Sequence, residues 1–172
     1  MTLPANDFSD LDIPALVAEA ARLLQARGWM MTTAESCTGG LIAARCTDLA
    51  GSSAWFERGF VSYSNAAKAE LLGVDPALIA THGAVSEPVA RAMAAGALAH
   101  SAAQAAVAVT GVAGPTGGSA DKPVGTVWFG WQVGGRTHTE RRRFEGDRAA
   151  VRAATVEHAL RTLVQLLNGP AT

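Results

Sequence analysis

The sequence reads as an α/β fold: a single three-layer α/β/α domain in which helices cover both faces of a mixed sheet and a β-hairpin is added late. Three features point there. Stretches with helical apolar spacing alternate with short β-favouring runs along the chain. One run, "AAVAVT" at 105–110, is continuously apolar, as a strand buried on both faces requires. Gly134 and Gly135 separate two strand-like segments as a two-residue hairpin turn does.

In chain order, the first element is a helix from Asp12 to Arg27. Leu16, Val17, Ala20, Leu23 and Leu24 form its apolar stripe, Asp12 is the expected N-cap and Gly28 the stop. "WMMTTAE" (29–35) is a buried strand. A turn, Glu35-Ser36-Cys37-Thr38-Gly39-Gly40, leads to a short helix, "LIAARCTDL" (41–49). The loop "AGSSAW" (50–55) precedes a second strand, "RGFVSYS" (58–64), and then a helix, "NAAKAELLGV" (65–74), capped by Ser64 or Asn65. Asp75 before Pro76 starts another helix, and Ser86 opens an alanine-rich one that runs to about His100. The strand at 105–110 ends in a glycine-rich loop, "GVAGPTGGSADKP" (111–123). "VGTVWFGWQV" and "THTERRRF" form the hairpin, and a last helix from Asp147 carries Val156, Leu160, Leu163, Val164 and Leu167 on one stripe. Residues 1–172 are taken as one domain, with 1–10 and 169–172 as loose ends.

Composition narrows the function. With 172 residues, 49% of them hydrophobic, the chain can bury one good core. Lys and Arg number 14 against 15 Asp and Glu, so no global basic field is available to hold nucleic acid. No run approaches the ~20 apolar residues of a membrane span, and the start has no basic and apolar leader, so a cytoplasmic location is expected. Two cysteines make no disulfide framework, and no spacing of Cys or His suggests a metal.

The first glycine turn sets a hydroxyl, a thiol and a second hydroxyl between a strand end and a helix start. About four unpaired N–H groups and the positive end of the helix dipole would then face whatever Ser36 faces. That suits a developing oxyanion, for which one well-placed donor is worth roughly 3 kcal/mol. The plain alternative is an N-cap at Ser36 or Thr38 with glycines that only make the turn. No G-x-S-x-G is present.

A serine nucleophile needs a base. His82, His100, His138 and His158 lie in no recognisable catalytic context. Lysine occurs only at Lys68 and Lys122. Lys68 falls near a helix start, where the dipole disfavours an ammonium and lowers its pKa, as a base neutral near pH 7 requires. Tyr63, the only tyrosine, ends the preceding strand and would reach the same edge. Cys37 competes with Ser36 as nucleophile, and the residues alone leave that choice open.

The second glycine loop follows the apolar strand and offers N–H groups with the hydroxyls of Thr110 and Thr116. In α/β sheets ligands gather at such strand ends. It is neither a Walker A nor a dinucleotide fingerprint. Two such loops in one small domain favour a shared ligand cleft over two flexible surface loops. Trp55, Phe56, Trp128 and Trp131 suit either a core or an interface.

"TTAESCTGGLIAA", Ala50-Gly51-Ser52-Ser53 with "WFERGFVSYSNAAK", "HGAVSEPVA", "AVTGVAGPTGG" and "KPVGTVWFG" closely resemble, in order, the competence/damage-inducible CinA C-terminal domain family. The resemblance covers nearly the whole chain, in what looks like the stand-alone form; larger relatives carry a molybdopterin-binding-like domain in front. It implies a nicotinamide-nucleotide amidase that hydrolyses the carboxamide of nicotinamide mononucleotide to nicotinate mononucleotide and ammonia, without metal or organic cofactor. It implies a Ser36 nucleophile with Lys68 and Tyr63 as partners.

On that reading the N–H groups around Thr38, Gly39 and Gly40 hold the oxyanion. The loop with Thr110, Gly111, Gly114, Thr116 and Gly117 grips ribose or phosphate, and Arg148 is a weaker phosphate candidate. The alternative is a non-catalytic nucleotide-binding or regulatory module linked to competence or DNA damage. Neither nucleic acid nor membrane is expected as a partner, and a homodimer is expected because twofold homo-oligomers are the commonest assemblies.

Overall fold

The computed structural model describes residues 8–169. Helix α1 (Ile13–Ala26) is capped by Asp12, whose side chain accepts from the Ala15 N–H. Strand β1 (Met31–Glu35) is buried throughout. Helix α2 (Leu41–Thr47) starts at Gly40, which has φ of 101° and no side chain to cap the helix. A single 3-10 turn at Ser52–Ala54 leads into β2 (Phe56–Val61), which begins and ends earlier than the sequence pattern suggests.

Helix α3 (Asn65–Leu72) takes Ser64, not Asn65, as its cap, and α4 (Pro76–His82) takes Asp75. Helix α5 (Glu87–Ala99) follows Ser86, whose hydroxyl donates to the Gly83 carbonyl rather than capping the helix. Strands β3 (Ala105–Gly111), β4 (Thr126–Val133) and β5 (Arg136–Arg143) precede α6 (Arg148–Asn168), capped by Asp147. Gly134 and Gly135, with φ of 56° and 79°, make the hairpin turn between β4 and β5, where both central residues need positive φ.

The five strands form one mixed sheet in the order β2-β1-β3-β4-β5. β1 pairs in parallel with β2 and β3, and β3 to β4 to β5 are antiparallel. Period-two alternation along β3 divides its side chains between two cores. Ala105, Val107 and Val109 join α1 and α6 on one face; Ala106 and Ala108 join α3, α4 and α5 on the other. The three-layer expectation is thereby met. The alanine-rich composition of α5 has a steric reason: a Cβ on Gly130 of β4 would lie 2.5 Å from the Ala90 carbonyl, so helix and sheet are in backbone contact there.

Trp55 and Trp131 are core, at 1% and 0% exposure, and the Trp131 indole N–H donates to the Ala159 carbonyl. Phe8 is buried in the α1–α6 core and its carbonyl accepts from Arg161, because a large ring with an apolar niche to fill orders the chain that carries it. Gly169 donates its N–H to the Gln165 carbonyl as the cap of α6. Residues 1–7 and 170–172 lie outside the described residues.

Parallel pairing brings the carboxyl ends of β1, β2 and β3 to the same edge of the sheet. Both glycine loops leave from that edge.

Candidate active site

Ser36 continues β1 by one residue, its N–H donating to the Val109 carbonyl of β3. The chain then turns: the Gly39 N–H closes on the Ser36 carbonyl and the Leu41 N–H on that of Thr38. α2 opens five residues after Ser36 with no capping side chain of its own, and Glu35 takes that role. Its buried carboxylate accepts from Ile42 N at 2.8 Å, Ala43 N at 3.0 Å and Thr38 Oγ1 at 2.6 Å. The positive end of α2 is thus met by Glu35, not left open to a substrate as the sequence had suggested.

Lys68 reaches the turn from the first turns of α3. It is 1% exposed, and its Nζ lies 3.0 Å from Ser36 Oγ, 3.0 Å from the Ser62 carbonyl oxygen and 3.1 Å from that of Tyr63. Its pKa is lowered, and burial is the main cause rather than the helix dipole; the charge of a Cys37 thiolate would act the other way.

Ser36 and Cys37 face different surroundings. Cys37 packs into the α1–α6 core, and burial pushes its thiol up to about 12. Its neighbour across the sheet is Gly111, where a Cβ would sit 3.2 Å from Cys37 Sγ and 2.7 Å from Val127 Cγ2. Only glycine lets the end of β3 lie this close to the turn.

A cleft of about 310 Å³ opens over Ser36. Ser36, Tyr63, Lys68, Thr110, Gly111, Gly114, Thr116, Gly117 and Arg148 line it, so most of the sequence-derived candidates converge. Thr38, Gly39 and Gly40 do not line it. The Thr38 hydroxyl is given to Glu35, and the Gly39 N–H is used inside the turn. Thr110 is at the cleft, but its hydroxyl donates to the Ala84 carbonyl at 2.9 Å and holds the segment before α5.

Tyr63 is 58% exposed, and its hydroxyl accepts from Arg148 Nη2 at 2.9 Å; it meets Lys68 through its carbonyl. Arg148 also donates to the Gly114 carbonyl at 2.9 Å, tying the second loop to the start of α6. Lys122 fastens the same loop to α4 by donating to the His82 carbonyl.

Glu35, Arg152 and the cleft-lining Asn65 were not singled out from sequence. Glu35 had a legible signal, an acidic residue just before a helix whose N-cap is glycine. Arg152 had none, because it acts from α6 on carbonyls more than a hundred residues away. Among the described residues, no group of three or more His, Cys, Asp or Glu side chains is placed to hold a metal.

A model of the CinA C-terminal domain matches residues 14–167. The chain belongs to the CinA C-terminal domain family. Among similar members, the nicotinamide-nucleotide amidohydrolase PncC of Enterobacter agglomerans is 54% identical over 159 residues, covering 92% of this chain and 97% of that one. That of Pseudomonas putida is 60% identical over 136 residues, 79% of this chain and 85% of its own. The solved structure of competence damage-inducible protein A from Klebsiella pneumoniae superposes with a TM-score of 0.86 at 45% identity, covering 90% of this chain and 96% of that one. The five motifs that carry the CinA resemblance fall on the β1 turn, the β2–α3 segment, the start of α5 and the two ends of the 111–125 loop. Four of them contribute residues to the cleft.

Proposed function

We propose that this protein is a nicotinamide-nucleotide amidase working through Ser36 and Lys68. The activity rests on its kinship with the amidohydrolases named above. The residue roles rest on one observation: the Lys68 amine lies 3.0 Å from Ser36 Oγ while two backbone carbonyls occupy the rest of its hydrogen-bonding capacity. A neutral amine has two N–H donors and one lone pair. With Ser62 and Tyr63 taking the donors, the lone pair is left for the Ser36 hydroxyl proton, and burial favours that neutral form.

Ser36 Oγ attacks the carboxamide carbon as Lys68 takes its proton. Lys68 returns that proton to the departing nitrogen, ammonia leaves, and the nicotinoyl group remains as an ester on Ser36. Water then attacks the ester, giving a proton to Lys68; nicotinate mononucleotide departs and Ser36 is reprotonated.

The candidate oxyanion donors at the cleft are N–H groups of lining residues, Cys37 and the 113–118 part of the second loop, rather than those of residues 38–40. The same loop and the Arg148 guanidinium suit the ribose and phosphate. Tyr63 acts by orienting Arg148 and, through its carbonyl, Lys68. The proton path needs no phenol.

The reading extends to a cytoplasmic homodimer. Among the described residues, no helix is long and apolar enough to cross a membrane. Val61 and Tyr63, at and just beyond the end of edge strand β2, are 49% and 58% exposed. Sedimentation analysis tests the dimer.

Ammonia release from nicotinamide mononucleotide is measured for wild type, Ser36→Ala and Lys68→Met. Activity in wild type and its loss in both variants is the expected result. Binding of the nucleotide without ammonia release in wild type would replace this reading with a binding module. An active Ser36→Ala would refute the nucleophile.

A further inference from the structure

Arg152 stands on the second turn of α6, half-buried, and makes no ion pair among the described residues. Its guanidinium is given to two successive carbonyls of the turn after Ser36. Nε donates to Cys37 O at 3.2 Å and Nη2 to Thr38 O at 3.1 Å. These two N–H bonds are the parallel pair on one edge of the guanidinium plane, so they fix the two peptide units together rather than one at a time.

The Cys37 carbonyl accepts from no other group among the described residues, whereas that of Thr38 also receives the Leu41 N–H. Without Arg152, the Cys37 carbonyl loses its hydrogen-bond donor among the described residues. The opposite side of the turn is held by Glu35, which engages donors where Arg152 engages acceptors. Ser36 therefore sits in a turn gripped from two sides, and neither Glu35 nor Arg152 lines the cleft that holds the chemistry.

We infer that Arg152 is a positioning residue for the amidase reaction: its side-on hold on the Cys37 and Thr38 carbonyls keeps Ser36 Oγ aligned on Lys68 and on the substrate carbon. The inference rests on the amidase reading above. It assigns Arg152 an effect on the chemical step and not on nucleotide binding. Displacing a nucleophile by about 1 Å costs on the order of 10²-fold in rate. A lysine at this position donates from one nitrogen at the end of a flexible stem and does not reproduce the rigid parallel pair.

The test compares wild type, Ser36→Ala, Arg152→Ala, Arg152→Lys and Arg161→Met. Arg161 is the control, an α6 arginine that also donates to carbonyls, those of Phe8 and Leu11, but away from the cleft. Three readouts are taken: steady-state ammonia release, thermal unfolding, and the rate at which a fluorophosphonate probe labels Ser36.

Arg152→Ala is expected to lower kcat by about 10²-fold with KM unchanged and to slow labelling of Ser36. Added guanidinium at millimolar concentration restores part of kcat, because the half-buried site admits the cation. Arg152→Lys stays impaired. Arg161→Met lowers Tm and leaves kcat and KM alone. A wild-type kcat in Arg152→Ala, a loss confined to KM, or a loss that guanidinium does not relieve overturns the inference while leaving Ser36 as nucleophile. Absence of ammonia release in wild type removes the amidase reading and this inference with it.

Discussion

Replacing Glu35 by Gln tests how the Ser36 turn is held, and its magnitude can be worked from the contacts. The carboxylate is 1% exposed. One oxygen accepts from Thr38 Oγ1 at 2.6 Å and Ile42 N at 2.8 Å; the other accepts from Ala43 N at 3.0 Å and, weakly, from Thr33 Oγ1 at 3.4 Å. In Glu35→Gln one of these oxygens becomes an NH2 group that cannot accept. The better arrangement keeps the carbonyl on Thr38 and Ile42 and sets the NH2 against the Ala43 N–H, donor facing donor.

A hydrogen bond to a charged acceptor is worth about 1.5–3 kcal/mol. A negative charge at a helix N-terminus adds about 0.3–1 kcal/mol. The Thr33 hydroxyl can turn and accept, so its contact costs little, and relief from burying a carboxylate offsets part of the loss. The expected net destabilisation is about 2–3 kcal/mol. At about 2–4 °C per kcal/mol for a chain of this size, Tm falls by roughly 4–12 °C. Calorimetry and urea unfolding with an unchanged m-value measure it, and kcat should fall as the turn loosens. A Tm equal to or above wild type would refute the view that Glu35 caps α2 and fixes the turn.

Three further outcomes follow from the same site. The Lys68 pKa is lowered by burial, so between that value and its ordinary 10.5 the unfolded chain binds a proton that the folded chain does not. Burial of the amine therefore destabilises most at low pH, and the penalty is relieved as pH rises toward 10.5. Any gain in Tm of Lys68→Met over wild type should shrink with rising pH. The kcat/KM of wild type should rise with pH along a limb lying below 10.5; a pH-independent rate would exclude Lys68 as the base. Gly111→Ala puts a Cβ 2.7 Å from Val127 Cγ2 and 2.9 Å from the Thr126 carbonyl oxygen, an overpacking worth about 1–3 kcal/mol that also presses on Cys37. Lower Tm and lower activity together are expected on thermal unfolding and assay, and a variant with wild-type Tm would show that β3 has room to give.

Much of the architecture was already legible in the chain because its signals are local. Asp12, Asp75 and Asp147 cap the helices they precede. Gly134 and Gly135 turn the hairpin, and the apolar run at 105–110 lies buried on both faces of the sheet. Each depends on neighbours a few residues away, where spacing and side-chain type suffice. Lys68 was recognisable for a related reason: with only two lysines in the chain, one near a helix start after the sole tyrosine stands out.

What the sequence determined by itself was the set of elements, the two glycine loops at strand ends and the pairing of Ser36 with Lys68 as candidates. The tertiary structure decided the directions of side chains, which depend on contacts between segments far apart. It turned Cys37 into the core and Ser36 toward the amine. It gave the hydroxyls of Thr38 and Thr110 to Glu35 and Ala84, and the Tyr63 hydroxyl to Arg148. It also brought Arg152 to the Cys37 and Thr38 carbonyls. A residue's period along its own strand or helix says which face it occupies. Which partner meets it there is settled only when the sheet order β2-β1-β3-β4-β5 sets distant loops side by side.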